Sequence, residues 1–211
     1  MTPYAASRAV WPDFVEIVRG RASVRHFDGR PVARSLVEQI LEAGAWAPSP
    51  HGRQPWRFAV LTQPERKLQL AEAMGEAWQY QLGLDGDPPE VIAARREGSH
   101  RRVTEAPVLI IPCLYTAVLD RYPDADRQQA EELMAVQSLG AAAQNMLLMA
   151  YALGLDAGWM CAPLFCPEIV RAALDLPVGL TPHAILAIGY RARDPRRRPR
   201  RPLAEMVVLY D

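Results

Sequence analysis

The stretch from about residue 127 to 153 constrains this chain more than any other. It holds the longest helical pattern, rich in Ala, Met and Leu and apolar on several sides. A surface helix needs only one apolar stripe, whereas a helix apolar around its circumference must be covered on every side. With 211 residues in all, one copy has limited material for such cover. The expectation is a central helix packed on its own sheet and against a second subunit.

Period and punctuation place the other elements. Residues 13–21 have helical spacing, with an acid, Asp13, in the capping position. Residues 34–46 put Leu36, Ile40 and Leu41 at helical intervals. That helix stops at Ala47-Pro48, because the residue before proline resists the α conformation. Residues 56–62 read as a strand and 64–81 as a helix. Residues 82–89 form a Gly/Asp/Pro connection, and 90–102 a charged helix expected to be exposed and mobile. The run 106–114 (APVLIIPCL) is apolar throughout and of strand length, so it reads as a buried strand. Residues 157–161 and 184–190 are further short strands. Helices and strands are interspersed and no repeat is visible. The expected fold is one α+β domain over 1–211, with a central mixed or antiparallel sheet flanked by helices.

Charge is balanced overall but unevenly spread. Segment 191–201 carries seven arginines against the single acid Asp194. Removing it leaves 17 basic and 23 acidic residues, an acidic body of about −6 with a basic strap. Prolines 195, 199 and 202 interrupt the strap, and 203–210 turns apolar again, as if the chain docks after the arginines. A disordered basic tail and a nucleic-acid arm are the alternatives; neither nucleic acid nor membrane is expected as a partner. The apolar runs at 106–114 and 139–150 are too short or too broken to span a bilayer. No secretory leader is visible, and three cysteines favour a reducing compartment, so the chain reads as cytoplasmic.

Several chemistries lack their motifs. There is no G-x-x-x-x-G-K-[ST], G-x-G-x-x-G, G-x-S-x-G or H-E-x-x-H, which argues against a P-loop NTPase, a dinucleotide-binding Rossmann domain, an α/β-hydrolase and a zincin. The four histidines are scattered. Cys161 and Cys166 read as small hydrophobes, and no metal site is expected.

Three constellations remain besides the strap. In Arg21-Ala22-Ser23-Val24-Arg25, alternate residues of an extended segment point one way, so Arg21, Ser23 and Arg25 can converge on one anion. A solvated loop is the competing reading. The loop Ala47-Pro48-Ser49-Pro50-His51-Gly52-Arg53-Gln54-Pro55-Trp56 is preset in shape by its prolines, either to bind or to fix a helix–strand angle. Gly158 to Phe165 carries a strand into Cys161-Ala162-Pro163-Leu164, where backbone amides can face a flat ring or simply turn the chain.

Taken in order, these segments resemble the nitroreductase family of flavoproteins. The matching features are R-x-S-x-R-x-F, A-P-S-x-x-x-x-Q-P-W-x-F, Gly140-Ala-Ala-Ala-Gln-Asn145, Gly154-Leu followed by Trp159, and Arg-Arg-Pro-Leu at 200–203. They span about 14–208. The resemblance implies a nitroreductase-like α+β homodimer with FMN in two interfacial sites. Arg21 and Ser23, with Ala22 between them, would meet the flavin phosphate and ribityl chain. Arg25 would lie at the N1/O2 edge of the ring and act in catalysis. Pro48, Ser49, Pro50, His51 and Gln54 would pack along ring and tail. Cys161, Ala162, Pro163 and Leu164 would come from the other subunit, near N5. Arg200 or Arg201, or else Arg198, would reach the phosphate. Two departures are the glycine at 52, where the family often has Asn, and the neutral Cys-Ala-Pro at 161–163, where some relatives carry an acid.

Segments 47–56, 122–127, 144–147 and 164–177 are similar to the C-terminal reductase domain of the bifunctional protein of deazaflavin coenzyme biosynthesis; its ligase half has no counterpart here. The implied reaction is ping-pong hydride transfer from NAD(P)H or another donor, through FMN, to an organic acceptor such as a deazaflavin precursor. Arg25 would stabilise the negative charge that reduction places at N1/C2=O. The alternatives are a flavin- or deazaflavin-binding module without turnover, and flavin-destroying synthesis of a benzimidazole.

Overall fold

The computed structural model describes residues 13–211; residues 1–12 of the expected single domain lie outside the described residues. Helices α1 (Phe14–Gly20) and α2 (Arg34–Ala45) precede strand β1 (Trp56–Leu61). Helices α3 (Pro64–Leu84) and α4 (Pro89–Thr104) form a hairpin leading into β2 (Val108–Tyr115). The long helix α5 (Ala125–Ala152), β3 (Asp156–Met160), α6 (Pro167–Ala173), β4 (Leu180–Pro182) and β5 (Ile185–Gly189) follow.

Strand β2 is the axis of the sheet. β1 runs antiparallel along one side, from Trp56 opposite Leu114 to Leu61 opposite Leu109. β4 and β5 lie in succession along the other side, and β3 flanks β5. All these pairings are antiparallel; a parallel bridge joins Ser23 to Ala157. Sequence reading missed β4, and Pro112 explains the break between β4 and β5. Proline has no N–H to give the ladder, and its carbonyl instead accepts the His183 amide at 2.9 Å.

The unbroken apolar run of β2 follows from helices on both faces. Leu109, Ile111 and Cys113 pack with Leu70 and Met74 of α3 and Val170 of α6. Val108 and Ile110 pack with Val37 and Ile40 of α2 and Met146 and Leu147 of α5. Burial pushes the Cys113 thiol up to about 12, so it serves as a hydrophobe.

Helix α5 is capped by Asp124, whose side chain accepts the Arg127 amide at 2.9 Å. It has the length and composition of a membrane span, which the broken run at 139–150 did not suggest. Here Ala135, Leu139, Ala142, Met146 and Ala150 form its buried stripe. Leu133 and Val136 stay 57% and 37% exposed. Cover from one copy therefore extends to one side only.

Two further expectations change. α4 is not simply an exposed, mobile helix: Val103 is buried, and Ser99 and Arg102 face a cavity. The strap docks earlier than its apolar end. The Ala192 amide donates to the His26 carbonyl at 3.0 Å, and the Asp28 amide to the Tyr190 carbonyl at 3.0 Å. Residues Val208 and Tyr210 are 99% and 93% exposed.

Candidate functional site

The segment after α1 is drawn against β3. The Val24 amide donates to the Ala157 carbonyl at 3.0 Å, and Val24 sinks into the core. Ser23 and Arg25, its neighbours, therefore turn outward. The approach is close because residue 158 is glycine: a Cβ there would stand 2.3 Å from the Val24 carbonyl oxygen.

Beside this seam opens a cavity of about 770 Å³. It is lined by Arg25, by Met74, Trp78 and Gln81 of α3 with Asp85 just after that helix, by Ser99 and Arg102 of α4, and by Trp159 to Ala162 with Phe165 and Cys166. The lining mixes apolar and aromatic side chains with polar and charged ones. The indole N–H of Trp159 is buried without a partner among the described residues. Burial pushes the Cys166 thiol up, and its Sγ–H faces the Ala162 carbonyl at 3.8 Å.

Cations gather at two places along this seam. Burial, then Arg200 and Arg197, hold Arg21 below the ordinary arginine range. Burial, then Arg25 and Arg101, do the same to Arg102. Among the described residues none of Arg21, Arg25, Arg102, Arg197 and Arg200 is in an ion pair. Asp85 is the one acid in the cavity lining, and Glu97 pairs with Arg101; the arginines still outnumber the acids, and like charges held together favour an anionic ligand. Arg197 anchors the strap by donating to the Arg19 carbonyl at 2.8 Å and to the Gly20 carbonyl, at the C-terminal end of α1.

Sequence reasoning missed Arg102, Ser99, Trp78 and Arg197. Nothing marked residues 90–102 except charge, and only the turn of the α3–α4 hairpin aims Ser99 and Arg102 inward. Arg200 lies near Arg21; Arg201 is exposed.

The segment 161–164 is placed differently from expectation. Cys161 and Ala162 line the same cavity as Arg25 within one chain, so a second subunit is not needed to bring them there. Pro163 is buried and Leu164 points outward. The Leu164 amide is used by the Cys161 carbonyl at 3.1 Å in a 3₁₀ turn, Ala162–Phe165.

The loop 48–54 is the reverse case. None of Pro48, Ser49, Pro50, His51 and Gln54 lines the cavity. The loop is rigid: the Gln54 amide donates to Ser49 Oγ at 3.0 Å, and His51, Gly52 and Gln54 all adopt positive φ. Arg53 pairs with Asp120 beyond the end of β2.

A helix-flanked antiparallel sheet with a cation-lined cavity at the end of β3 defines a class of anionic-cofactor proteins, and the comparisons make it specific. Residues 18–190 match the Nitroreductase family, and the chain belongs to it. An NADH dehydrogenase of Thermus thermophilus is 33% identical, over 90% of this chain and 92% of its own. A Methanothermobacter thermautotrophicus protein named for NADH dehydrogenase and NAD(P)H nitroreductase activity is 29% identical, over 88% of this chain and 81% of its own. A nitroreductase-type protein of Desulfovibrio desulfuricans, solved in complex with FMN, superposes with a TM-score of 0.73 at 29% identity, over 94% of this chain and 97% of that one.

Proposed function

We propose that this chain is an FMN-dependent oxidoreductase that passes hydride from NAD(P)H to an organic acceptor. The observation that carries the reading is a cavity walled by Arg25 and Arg102, neither of them in an ion pair among the described residues, with Arg21, four residues up the same segment, grouped with Arg197 and Arg200. Arg21 and Arg25 are four extended residues apart, roughly 13 Å, a span that suits a phosphate at one end and a ring edge at the other. Arg21, with Arg200 and Ser23, would hold the phosphate through charge-assisted hydrogen bonds. Arg25 and Arg102 would face the electron-rich edge of the ring and stabilise negative charge developing there. Trp159, Met160 and Ala162 would form the flat wall, and Trp78 and Gln81 would bound the space for donor and acceptor. FMN, when bound, supplies the hydride-accepting and hydride-donating ring. The described cavity offers no Ser/His/Asp arrangement, and none is required for this chemistry.

The active form we propose is a homodimer. Supporting it are the exposed Leu133 and Val136 on α5 and the exposed apolar end at 203–210. The rigid loop 48–54 would then reach the flavin of the partner, which reverses the division of segments expected from the sequence. Segments 47–56 and 164–177 favour a planar, deazaflavin-type acceptor, which would share the cavity wall at Trp78.

The test begins with colour. The purified protein is expected to be yellow, to release FMN on denaturation and to rebind one FMN per chain. It should oxidise NAD(P)H with a quinone or nitroaromatic acceptor. A colourless protein that takes up no FMN overturns the proposal. Oxidation of NAD(P)H limited to one equivalent per chain would leave a binding module in its place. Titration with an oxidised deazaflavin, followed by its visible band, tests the acceptor.

A further inference from the structure

Away from the flavin cavity, three side chains of complementary chemistry meet. His51, Asp120 and Glu131 each offer one ligand atom, and these atoms lie within 4.8 Å of one another. His51 comes from the 3₁₀ turn Pro50–Gly52, Asp120 from the connection between β2 and α5, and Glu131 from the N-terminal half of α5.

Glu131 is only 2% exposed. Its Oε1 accepts the Asp120 amide at 3.3 Å. Its Oε2 is buried without a partner among the described residues. A carboxylate oxygen removed from water and left unpaired is unfavourable, so the position calls for a ligand. Asp120 is partly exposed, and Arg53 holds its Oδ1 while its Oδ2 takes no protein partner among the described residues. Two carboxylates stand against one guanidinium beside the His51 imidazole.

We propose that His51, Asp120 and Glu131 bind a divalent transition-metal ion, zinc by preference, that fastens the 48–54 loop to α5. One imidazole nitrogen and two carboxylate oxygens suit zinc, whereas calcium and magnesium favour all-oxygen sites. Zinc bonds of about 2.0–2.2 Å put tetrahedral donors roughly 3.4 Å apart, so the cluster closes with small side-chain rotations. Arg53 and the Asp120 amide already orient the two carboxylates from outside, as partners of metal ligands do. The ion would also hold His51 at its φ of +53°, a conformation that side chains rarely adopt unaided. The role is structural: none of the three residues lines the cavity of its own chain, and the ion would fix the shape of the loop that the dimer reading brings to the partner's flavin. The proposal does not depend on the flavin reading.

The test uses full-length protein stripped with chelator and desalted. Zinc chloride is titrated against a chromophoric chelator, and melting is followed with and without zinc. The expected result is one saturable equivalent per chain and a zinc-dependent rise in Tm. His51→Asn, which tolerates positive φ, should bind at least about tenfold more weakly and lose the rise. A Cys161→Ser, Cys166→Ser double variant should bind like the parent. Glu131→Gln should also lose the equivalent; if it does not fold, His51→Asn decides. No saturable equivalent in the parent, unchanged affinity in His51→Asn, or loss in the cysteine variant each overturns the proposal.

Discussion

Segment 21–25 and loop 48–54 are both dense in polar and conformationally restricted residues, yet they stand in different parts of the molecule. Segment 21–25 runs beside β3, with Val24 in the core and Arg25 in the cavity wall. Loop 48–54 leans on α5, pairs through Arg53 with Asp120, and contributes nothing to that wall. The first region has its ligand space within its own chain. The second is preset in shape, by positive φ at three positions and the Ser49–Gln54 bond, and does not line the Arg25 cavity. A loop preset in shape yet apart from that cavity makes sense if its target sits on another copy.

The largest expected effect breaks this comparison outright. Leu133→Asp with Val136→Asp puts two charges on the exposed apolar side of α5. Burying an unpaired carboxylate in an interface is strongly unfavourable. The variant should elute as a monomer in size exclusion with light scattering and bind FMN at least about a hundredfold more weakly. A monomer that keeps its flavin would show that loop 48–54 serves no flavin site.

Next in size is Arg21→Ala. It removes a charge-assisted contact to the phosphate, and such contacts contribute about 1.5–3 kcal/mol, or roughly 10- to 100-fold in Kd. Ser49→Ala, in the other region, should cost only a few-fold, because its hydroxyl accepts from the Gln54 amide of its own loop. Flavin fluorescence titration of the two variants ranks them. Equal losses would erase the distinction between the two regions.

The sequence carried some of this and not the rest, for physical reasons. Alternation in Arg21-Ala22-Ser23-Val24-Arg25 put Ser23 and Arg25 on one side, and the structure has both outward with Val24 between them in the core, since period 2 is a local property. The continuous run in β2 correctly implied two covered faces. Arg102 was invisible because charge alone cannot say which side of a helix a neighbouring helix covers. That Cys161 and Ala162 share a cavity with Arg25 of the same chain was not visible either, because it depends on β3 pairing with β5 and the bridge to Ser23. The cluster of His51, Asp120 and Glu131 joins residues up to 80 positions apart, and no local spacing encodes it.

The seam that sets segment 21–25 in place can be probed directly. In Gly158→Ala the new Cβ would stand 2.3 Å from the Val24 carbonyl, and backbone, not a flexible side chain, must yield. Overpacking of this kind costs about 1–3 kcal/mol. Denaturant melts should show that loss, with weakened FMN binding as Arg25 shifts. Zinc retention at the loop should be unaffected. If FMN binding is unchanged while stability falls, the seam is structural only.

The smallest effect comes from a residue distant from both regions. His183 sits between β4 and β5, and burial pushes its imidazole below the usual histidine value. The folded chain thus prefers the neutral ring, and the unfolded chain takes up the proton first. Above about pH 6.5 neither state is protonated there and this group adds no pH dependence. As pH falls from about 6.5 through the folded value, the unfolded chain binds more protons and stability is lost, by less than about 1 kcal/mol for a partly buried ring. His183→Asn should flatten that part of a denaturant-stability profile measured between pH 7 and 5, with FMN affinity unchanged at pH 7. An unflattened profile would show that His183 does not carry the loss; Asp28 and Asp124, held low chiefly by the backbone amides of Arg30 and Arg127, lose their contribution only below about pH 4.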